Sequence, residues 1–383
     1  MLEKRSKMLL ALIFSAFFAV LFCIDGIAED NITVPPSYND FIGSVGDDVQ
    51  DKLPEGAFSD SIGDLSDAAN EISSPARLLG ALLDGFGAEL GDILPTTAII
   101  LGLVILAAMC YAAASNLAGG LSRTVELCTR LCTFCAVAGI GISCTERLTD
   151  YFERLFLAVS SFLPLSAVLY AMGGNVTAAA SSTASLGVIL TVCQFICSYT
   201  VIPVFCICLC FSVISVFDGQ SATVGATLGG AVRKWYTTAL AFVMMILTTA
   251  LASQSILSAK ADTAAMRGMK FAVSSFVPLS GGTVSSTLGT LAAGVELLRG
   301  SVGVIGIVII ILMLLPVIIE LALLRLSLSL GAFFAGLLGC PSEQRLLSEL
   351  SGLYGYLEGV AVLCSVIFLI SFGIFAAMAT PFS

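Results

Sequence analysis

The chain has 383 residues, of which 57% are hydrophobic and 11% charged, and it contains no histidine. Soluble domains carry roughly 25% charged residues, so this composition excludes an ordinary soluble protein and predicts an integral membrane protein whose apolar surface is partly covered by lipid. The missing histidine excludes histidine-dependent catalytic triads and removes the usual ligand of zinc and iron.

The formal net charge of −10 comes from one segment of the chain. Residues 29–92 carry 14 acidic and two basic side chains, whereas residues 93–383 carry 11 acidic and 12 basic ones. Because phosphate binding requires a basic surface, this distribution argues against nucleic acid as a partner.

Residues 1–28 have the layout of a cleavable signal peptide. Three basic residues among the first seven precede an apolar run over residues 8–24, and the small residues that follow permit cleavage after Ala28. An uncleaved signal anchor is the alternative. Residues 29–92 are therefore expected to lie outside the cytoplasm.

This acidic segment, residues 29–92, combines prolines and carboxylates with hydrophobic residues at helical spacing. Val45, Val49 and Leu53, for example, recur every four residues. The pattern predicts short amphipathic helices that lie on the membrane surface or against a partner. A disordered acidic linker is the alternative.

The remaining residues, 93–383, form a series of apolar segments, and a membrane span needs about 20 such residues. Ala184–Phe217 is longer than one upright span and contains a proline, which predicts either a tilted, kinked helix or two half-helices. Ser301–Leu338 is equally long and also contains a proline. The predicted fold class is an all-α polytopic membrane domain with about 6–8 membrane segments. The shorter spans are Pro95–Ala114, Leu127–Cys144, Trp235–Leu257 and Gly359–Ala379.

Two stretches between these apolar segments are more polar. Residues 145–157 interleave charges with Leu and Phe and are expected to lie in the membrane interface. Residues 340–358 are expected to form a polar connection between two spans.

A nine-residue motif occurs twice, because Ala158–Ser166 returns as Ala272–Ser280 with one apolar substitution. The repeat predicts two related halves of the membrane domain, at about residues 125–217 and 239–331. Internal repeats with interrupted apolar segments are typical of transport-type membrane proteins. Parallel and inverted arrangements of the halves both remain open.

The proline in each copy predicts a broken or re-entrant helix. Pro164 and Pro278 lack an N–H and leave a backbone carbonyl without its helical donor, and in lipid such a carbonyl must be satisfied by protein or water. The neighbouring serines are expected to bind these carbonyls and line a polar path; two structural kinks are the alternative. The candidate path-lining residues are Ser160, Ser161, Phe162 and Pro164 in the first copy and Ser274, Ser275, Phe276 and Pro278 in the second.

Glycines are frequent after the second copy. Gly281, Gly282, Gly300 and Gly303 belong to a stripe of small residues. Such a stripe lets helices approach closely in membranes, so it predicts tight packing within the chain or against another subunit.

The long C-terminal apolar run contains Pro316, Glu320 and Arg325. The two charged residues are five positions apart, which is an imperfect spacing for a helical pair. A role in packing, or snorkelling towards the interface, is expected for both.

No set of residues points to catalysis. The sequence lacks a G-x-x-x-x-G-K-[ST] phosphate loop and a convergent acid, base and nucleophile, so neither an enzyme nor a cofactor is predicted. The 13 cysteines lie almost entirely in apolar segments, and residues 29–92 contain none. They are expected to be small buried hydrophobic residues rather than metal ligands or disulfides. If the process in which this chain takes part requires energy, a partner protein would supply it.

Several motifs in the C-terminal half carry a family resemblance. Gln-Ser-Ile-Leu follows a span at residues 254–257, and Lys-Phe-Ala at 270–272 precedes Phe-Val-Pro at 276–278. Gly-Ser-Val-Gly at 300–303 then opens a long apolar helix containing Pro316. In these motifs, and in its length, signal peptide and acidic segment, the chain resembles the stage III sporulation protein AE family.

This resemblance implies a subunit of the channel complex that joins mother cell and forespore in endospore-forming bacteria. Members of the family are multi-pass proteins of the mother-cell-derived membrane around the forespore. They work with the other stage III A proteins, including an ATPase subunit, and indirectly with the forespore partner Q. The complex resembles a specialised secretion apparatus, and the resemblance carries over no catalytic residue.

A stand-alone secondary transporter of a small solute is the second hypothesis. The two halves and the predicted broken helices favour it, whereas the lack of a charged coupling site counts against it. Co-purification with other membrane proteins would separate the two hypotheses.

Overall fold

A computed structural model of the chain describes residues 34–114, 119–174, 176–217, 222–276 and 281–377, and within them the backbone forms helices and turns without a strand. The predicted signal peptide and Pro278 lie outside the described residues. The helices are α1 (Pro36–Gly43), α2 (Asp47–Gln50), a 3-10 turn (Glu55–Phe58), α3 (Ile62–Ile72), α4 (Pro75–Ala114), α5 (Gly119–Met172), α6 (Val176–Ile196), a π segment (Cys197–Val201), α7 (Ile202–Phe217), α8 (Ala222–Phe276), α9 (Gly281–Leu337) and α10 (Pro341–Ala377).

Six helical stretches of the described chain are long and apolar enough to cross a membrane. They confirm the predicted all-α class and support a multi-pass protein. The α6 helix, the π segment and α7 together supply one of them. The candidate spans are Ile93–Ala113, Leu127–Met172, Ala179–Ser212, Leu228–Ser258, Ala293–Leu337 and Pro341–Ala377.

The acidic segment folds into a small helical unit at residues 34–72, called the cap. Its hydrophobic residues face inwards: Tyr38 and Leu65 are fully buried, and the Tyr38 hydroxyl donates a 2.8 Å hydrogen bond to the Ala57 carbonyl. Burial raises the pKa of the Tyr38 phenol, which keeps this donor protonated. The interpretation as short amphipathic helices is thus confirmed for residues 36–72, and the disordered alternative is wrong there.

The α4 helix joins the cap to the membrane domain. It runs from Pro75 to Ala114 and passes residues 92 and 93 without a break. The predicted domain boundary between those two residues therefore lies inside a helix.

The two ends of the bundle are defined by α9 and α10, which run antiparallel. Gly303, in the first half of α9, lies beside Ala376 near the end of α10, while Ser329 Oγ near the end of α9 is 3.1 Å from Ser351 Oγ. The end of the bundle where α9 begins and α10 finishes is called the upper end, and the opposite end the lower end. The α4 helix runs in the same direction as α9, as the 2.6 Å contact between Thr97 and Ser327 marks its lower part.

Proline does not break the helices where the sequence predicts it. The α5 helix continues through Pro164, so the prediction of a broken or re-entrant helix is wrong at this position. The α9 helix continues through Pro316, so one long helix rather than two half-helices is observed there. Pro164 is exposed, and a single missing donor does not outweigh the contacts of such long packed helices.

A local distortion does occur before Pro203. The π segment Cys197–Val201 ends two residues before this proline, and its wider turn accommodates the missing N–H while α6 continues into α7. Of the two alternatives for this long segment, the kinked helix is therefore the observed one.

The predicted polar connection at residues 340–358 is wrong, since these residues form the first half of α10. Leu346, Leu347, Leu350 and Leu353 recur at spacings of three and four and are all buried. This periodic face packs into the bundle, and it outweighs the polar residues on the opposite face.

Candidate functional site

The upper end of the bundle is held together by an aromatic cluster around Phe162. The Phe162 ring is fully buried and lies 4.0 Å from the Phe372 ring, 4.9 Å from Phe375 and 5.5 Å from Phe41, measured between centroids. Phe162 belongs to α5, Phe372 and Phe375 to α10, and Phe41 to α1 of the cap. The cluster therefore fastens the cap to two helices of the bundle.

The serines beside Phe162 bind their own helix. The Ser160 and Ser161 hydroxyls both donate to the Leu157 carbonyl, at 2.8 and 3.0 Å. Pro164 removes the donor for the carbonyl four residues earlier, that of Ser160, so these hydroxyls do not serve the carbonyl that the sequence analysis assigned to them. This part of the prediction is wrong for the first copy, because a hydroxyl on a helix reaches the preceding turn most easily.

The second copy of the motif has a different setting. Its residues Ser274, Ser275 and Phe276 are the last residues of α8, whereas the first copy lies within α5. Gly281 and Gly282 begin α9. Nearly identical residues thus occupy a helix interior in one copy and a helix end in the other.

A cleft of about 420 Å³ opens between α5 and the π segment. Its walls are mostly apolar, and its polar lining includes Thr149, Glu153 and Ser160 from α5 and Gln194 from α6. Ser160 is thus the predicted path-lining residue that reaches this cleft.

Beneath the cap, a charge cluster joins three helices. Arg147 Nη1 of α5 lies 3.4 Å from Glu320 Oε2 of α9 and 3.9 Å from Glu89 Oε2 of α4, and the Cys144 thiol donates to Glu320 at 3.7 Å. The Glu89 and Glu320 side chains are only 17% and 13% exposed. One guanidinium therefore bridges two largely buried carboxylates.

Two further contacts complete the seat of the cap. Arg154 Nη1 lies 3.3 Å from Asp48 Oδ1, and a cavity of about 170 Å³ between cap and bundle is lined by Pro316 together with Arg147 and Asp48. Pro316, the proline of the long C-terminal apolar run, thus lies under the cap.

Glu320 and Arg325 bind different helices. Glu320 contacts Arg147, whereas Arg325 forms an ion pair with Glu358 of α10 and lies beside Gly355. The five-residue spacing of the two charges turns them towards separate neighbours. Both residues therefore cross-link helices.

The functional residues that sequence reasoning missed are Arg147, Phe372 and Phe41. Their partners are distant in the sequence, so no local spacing marks them. The only signal for Arg147 was its place in the amphipathic stretch at residues 145–157.

Replacing Arg147 by Met is expected to destabilise the bundle by about 1 kcal/mol. Two facing carboxylates lose their shared cation, but Arg147 is half-exposed, so the effect stays below that of a fully buried pair. Thermal unfolding of the purified protein measures it. Arg154→Met, which removes an exposed pair on the same helix, is the control and is expected to change little. Equal losses in the two variants would contradict the assignment, as would failure of Glu320→Gln to recover stability in the Arg147→Met background.

Aromatic rings and one exposed ion pair thus fasten the cap to α5 and α10, and the charge cluster beneath the cap joins α4, α5 and α9. Within the described parts of the chain, no group of three Cys, Asp or Glu side chains is arranged to hold a metal ion.

Comparison with known proteins gives one match. The family model described as "Stage III sporulation protein AE" matches residues 58–379, which cover nearly the whole chain. No curated protein and no solved structure matches the chain.

Proposed function

The chain belongs to the stage III sporulation protein AE family, and from this premise we propose that it is a membrane subunit of the secretion-like channel complex that links mother cell and forespore. In this proposal it lies in the mother-cell-derived outer forespore membrane and supports late forespore development. It acts with the other stage III A proteins, including an ATPase subunit, and indirectly with the forespore partner Q. Its role is structural rather than catalytic.

The lengths of the apolar helices support a protein that reaches beyond its membrane. The α4 span Ile93–Ala113 has 21 residues, or about 31 Å, which matches a hydrocarbon core of roughly 30 Å. The apolar stretches of α5 and α9 have 46 and 45 residues, or about 68 Å each. Because this is more than twice the thickness of the core, parts of both helices project from the bilayer in our proposal.

The position of the cap supports an extracytoplasmic direction for this projection. The cap precedes the first span, and six crossings return the end of α10 to the same side, in agreement with the contact between Phe41 and Phe372. Its many carboxylates and its single lysine, Lys52, suit the side opposite to the cytoplasm.

The observation that carries the proposal is the cap seated on the upper parts of α5 and α10 through the contacts of Phe41 with Phe162 and Phe372. A channel between two membranes needs subunits that present fixed surfaces in the space between them. A cap held by a buried aromatic cluster provides such a surface.

Crosslinking and affinity purification from sporulating cells, with a tag after Ser383, test the proposal. We expect several small membrane proteins and an ATPase in one assembly, and an unrelated multi-pass protein with the same tag is the control. Recovery of the chain alone, or only as a homodimer, would contradict the proposal. Solute transport by the purified chain in liposomes would instead favour the independent transporter.

A further inference from the structure

The upper part of α4 exposes a row of large apolar side chains. Leu79, Leu83, Phe86 and Leu90 follow one another at spacings of four, three and four residues, and Leu82 lies beside them. Leu79 and Leu83 are 58% and 61% exposed. These five residues are called the α4 stripe. A contiguous exposed apolar row on a helix marks an interaction site rather than ordinary surface.

The α4 stripe extends beyond the part of α4 that lipid covers. The apolar span of α4 begins at Ile93, and at 1.5 Å per residue Leu83 lies about 15 Å and Leu79 about 21 Å further out. The interfacial layer on each side of the hydrocarbon core is only about 5–8 Å thick. Exposed Arg77 and Asp84 on the same part of the helix agree with an aqueous setting. Lipid therefore does not account for the outer half of the α4 stripe.

The shape of the α4 stripe fits another helix. Alternating spacings of four and three residues form the seam of a coiled coil, where each side chain inserts between residues of the facing helix. Gly80 and Gly87 border the stripe, and a Cβ added at either meets no atom within 4 Å. A second helix can therefore approach the backbone of α4 closely at these points.

The charge around the α4 stripe identifies the kind of helix. The adjoining α3 exposes Asp64 and Asp67, and Asp84 stands beside the stripe itself. Glu71 of α3 is already paired with Arg77. A second copy of the chain would bring the same carboxylates towards one another, which disfavours self-association. A helix with Lys or Arg along its flank would complement them.

We propose that the α4 stripe binds an amphipathic helix of another protein, with its apolar face on Leu79, Leu83, Phe86 and Leu90 and its basic flank towards the carboxylates of the cap. This proposal rests on the proposed function, because it places a partner subunit on the side of the membrane where the cap lies. It names the surface at which that partner is held.

Site-specific photocrosslinking in sporulating cells tests this binding surface. The full-length chain carries p-benzoylphenylalanine in place of Leu83, and crosslinked peptides are sequenced by mass spectrometry. Leu94 is the matched control position, because it is 59% exposed on the same face, three turns further along and within the span. We expect position 83 to yield a peptide of another protein that has an amphipathic pattern with Lys or Arg on one flank, and position 94 to yield lipid.

A charge variant makes the test specific. Replacing Asp64, Asp67 and Asp84 by Asn is expected to lower the adduct yield at position 83 by about tenfold, since several exposed ion pairs are lost together. An adduct only with lipid, with a second copy, with residues 8–24 of the chain itself or with an acidic peptide would overturn the proposal, as would no adduct from position 83. If the tagged chain still recovers its partners, only this docking surface fails. If it recovers none, the proposed function fails as well.

Discussion

Replacing Phe162 by Ala is expected to release the cap and destabilise the protein by about 3–5 kcal/mol, the usual cost of truncating a fully buried phenylalanine. The ring is fully buried, and its loss removes contacts with Phe41, Phe372 and Phe375 together. Limited proteolysis of the purified protein measures release of the cap as faster cleavage within residues 34–72. Thermal unfolding measures the loss of stability.

Pro164→Ala is the matched control for this prediction. Pro164 lies two residues further along α5 and is exposed, and alanine restores the backbone donor that proline lacks, so stability is expected to stay unchanged or rise slightly. If Pro164→Ala lowered the stability of the protein while Phe162→Ala left the cap protected from proteolysis, the result would favour the broken-helix interpretation of the motif. The expected result would instead show that the first copy of the motif stabilises the protein through Phe162 rather than through Pro164.

The membrane class and the cap were predictable because both depend on local patterns. Composition alone indicates lipid-covered helices. In the cap, Val45, Val49 and Leu53 repeat with the period of a helix, and all three are buried. Here the local pattern and the tertiary contacts agree.

The prediction failed where tertiary packing outweighs a local rule. Pro164 indicates a helix break, yet the α5 helix around it has many packed neighbours and loses one hydrogen bond there. The polar residues of 340–358 indicate a connection, yet the leucines between them are buried against the bundle. In both cases a short stretch of sequence does not reveal that it belongs to a long, packed helix.

The candidate site could be predicted only in part. Phe162 and Glu320 were selected for their place in a repeat and in an apolar run, and both prove to be central contacts. Their partners Phe372 and Arg147 could not be named, since contact across a bundle depends on how distant helices align. The sequence therefore identifies one residue of each contact, whereas the partner residue becomes known only from the folded structure.

The same alignment of α9 and α10 predicts opposite effects for two nearby glycines. Gly306→Ala is expected to destabilise the protein by about 1–3 kcal/mol, because the new Cβ would overlap the buried Phe372 ring, which is itself held against Phe162. At Gly300 a Cβ meets no atom within 4 Å. Gly300→Ala is therefore expected to leave stability unchanged or raise it by up to about 1 kcal/mol, through the higher helix propensity of alanine.

Thermal unfolding of both alanine variants, with proteolysis of the cap as a second readout, checks this pair. Because Phe372 joins α9 to the cluster that holds the cap, Gly306→Ala is also expected to speed cleavage of the cap, and Phe372→Leu in the same chain is expected to relieve part of the clash. Equal effects of Gly300→Ala and Gly306→Ala would contradict this packing. A destabilised Gly306→Ala protein whose cap stays protected would show instead that the contact between α9 and α10 is independent of the cap.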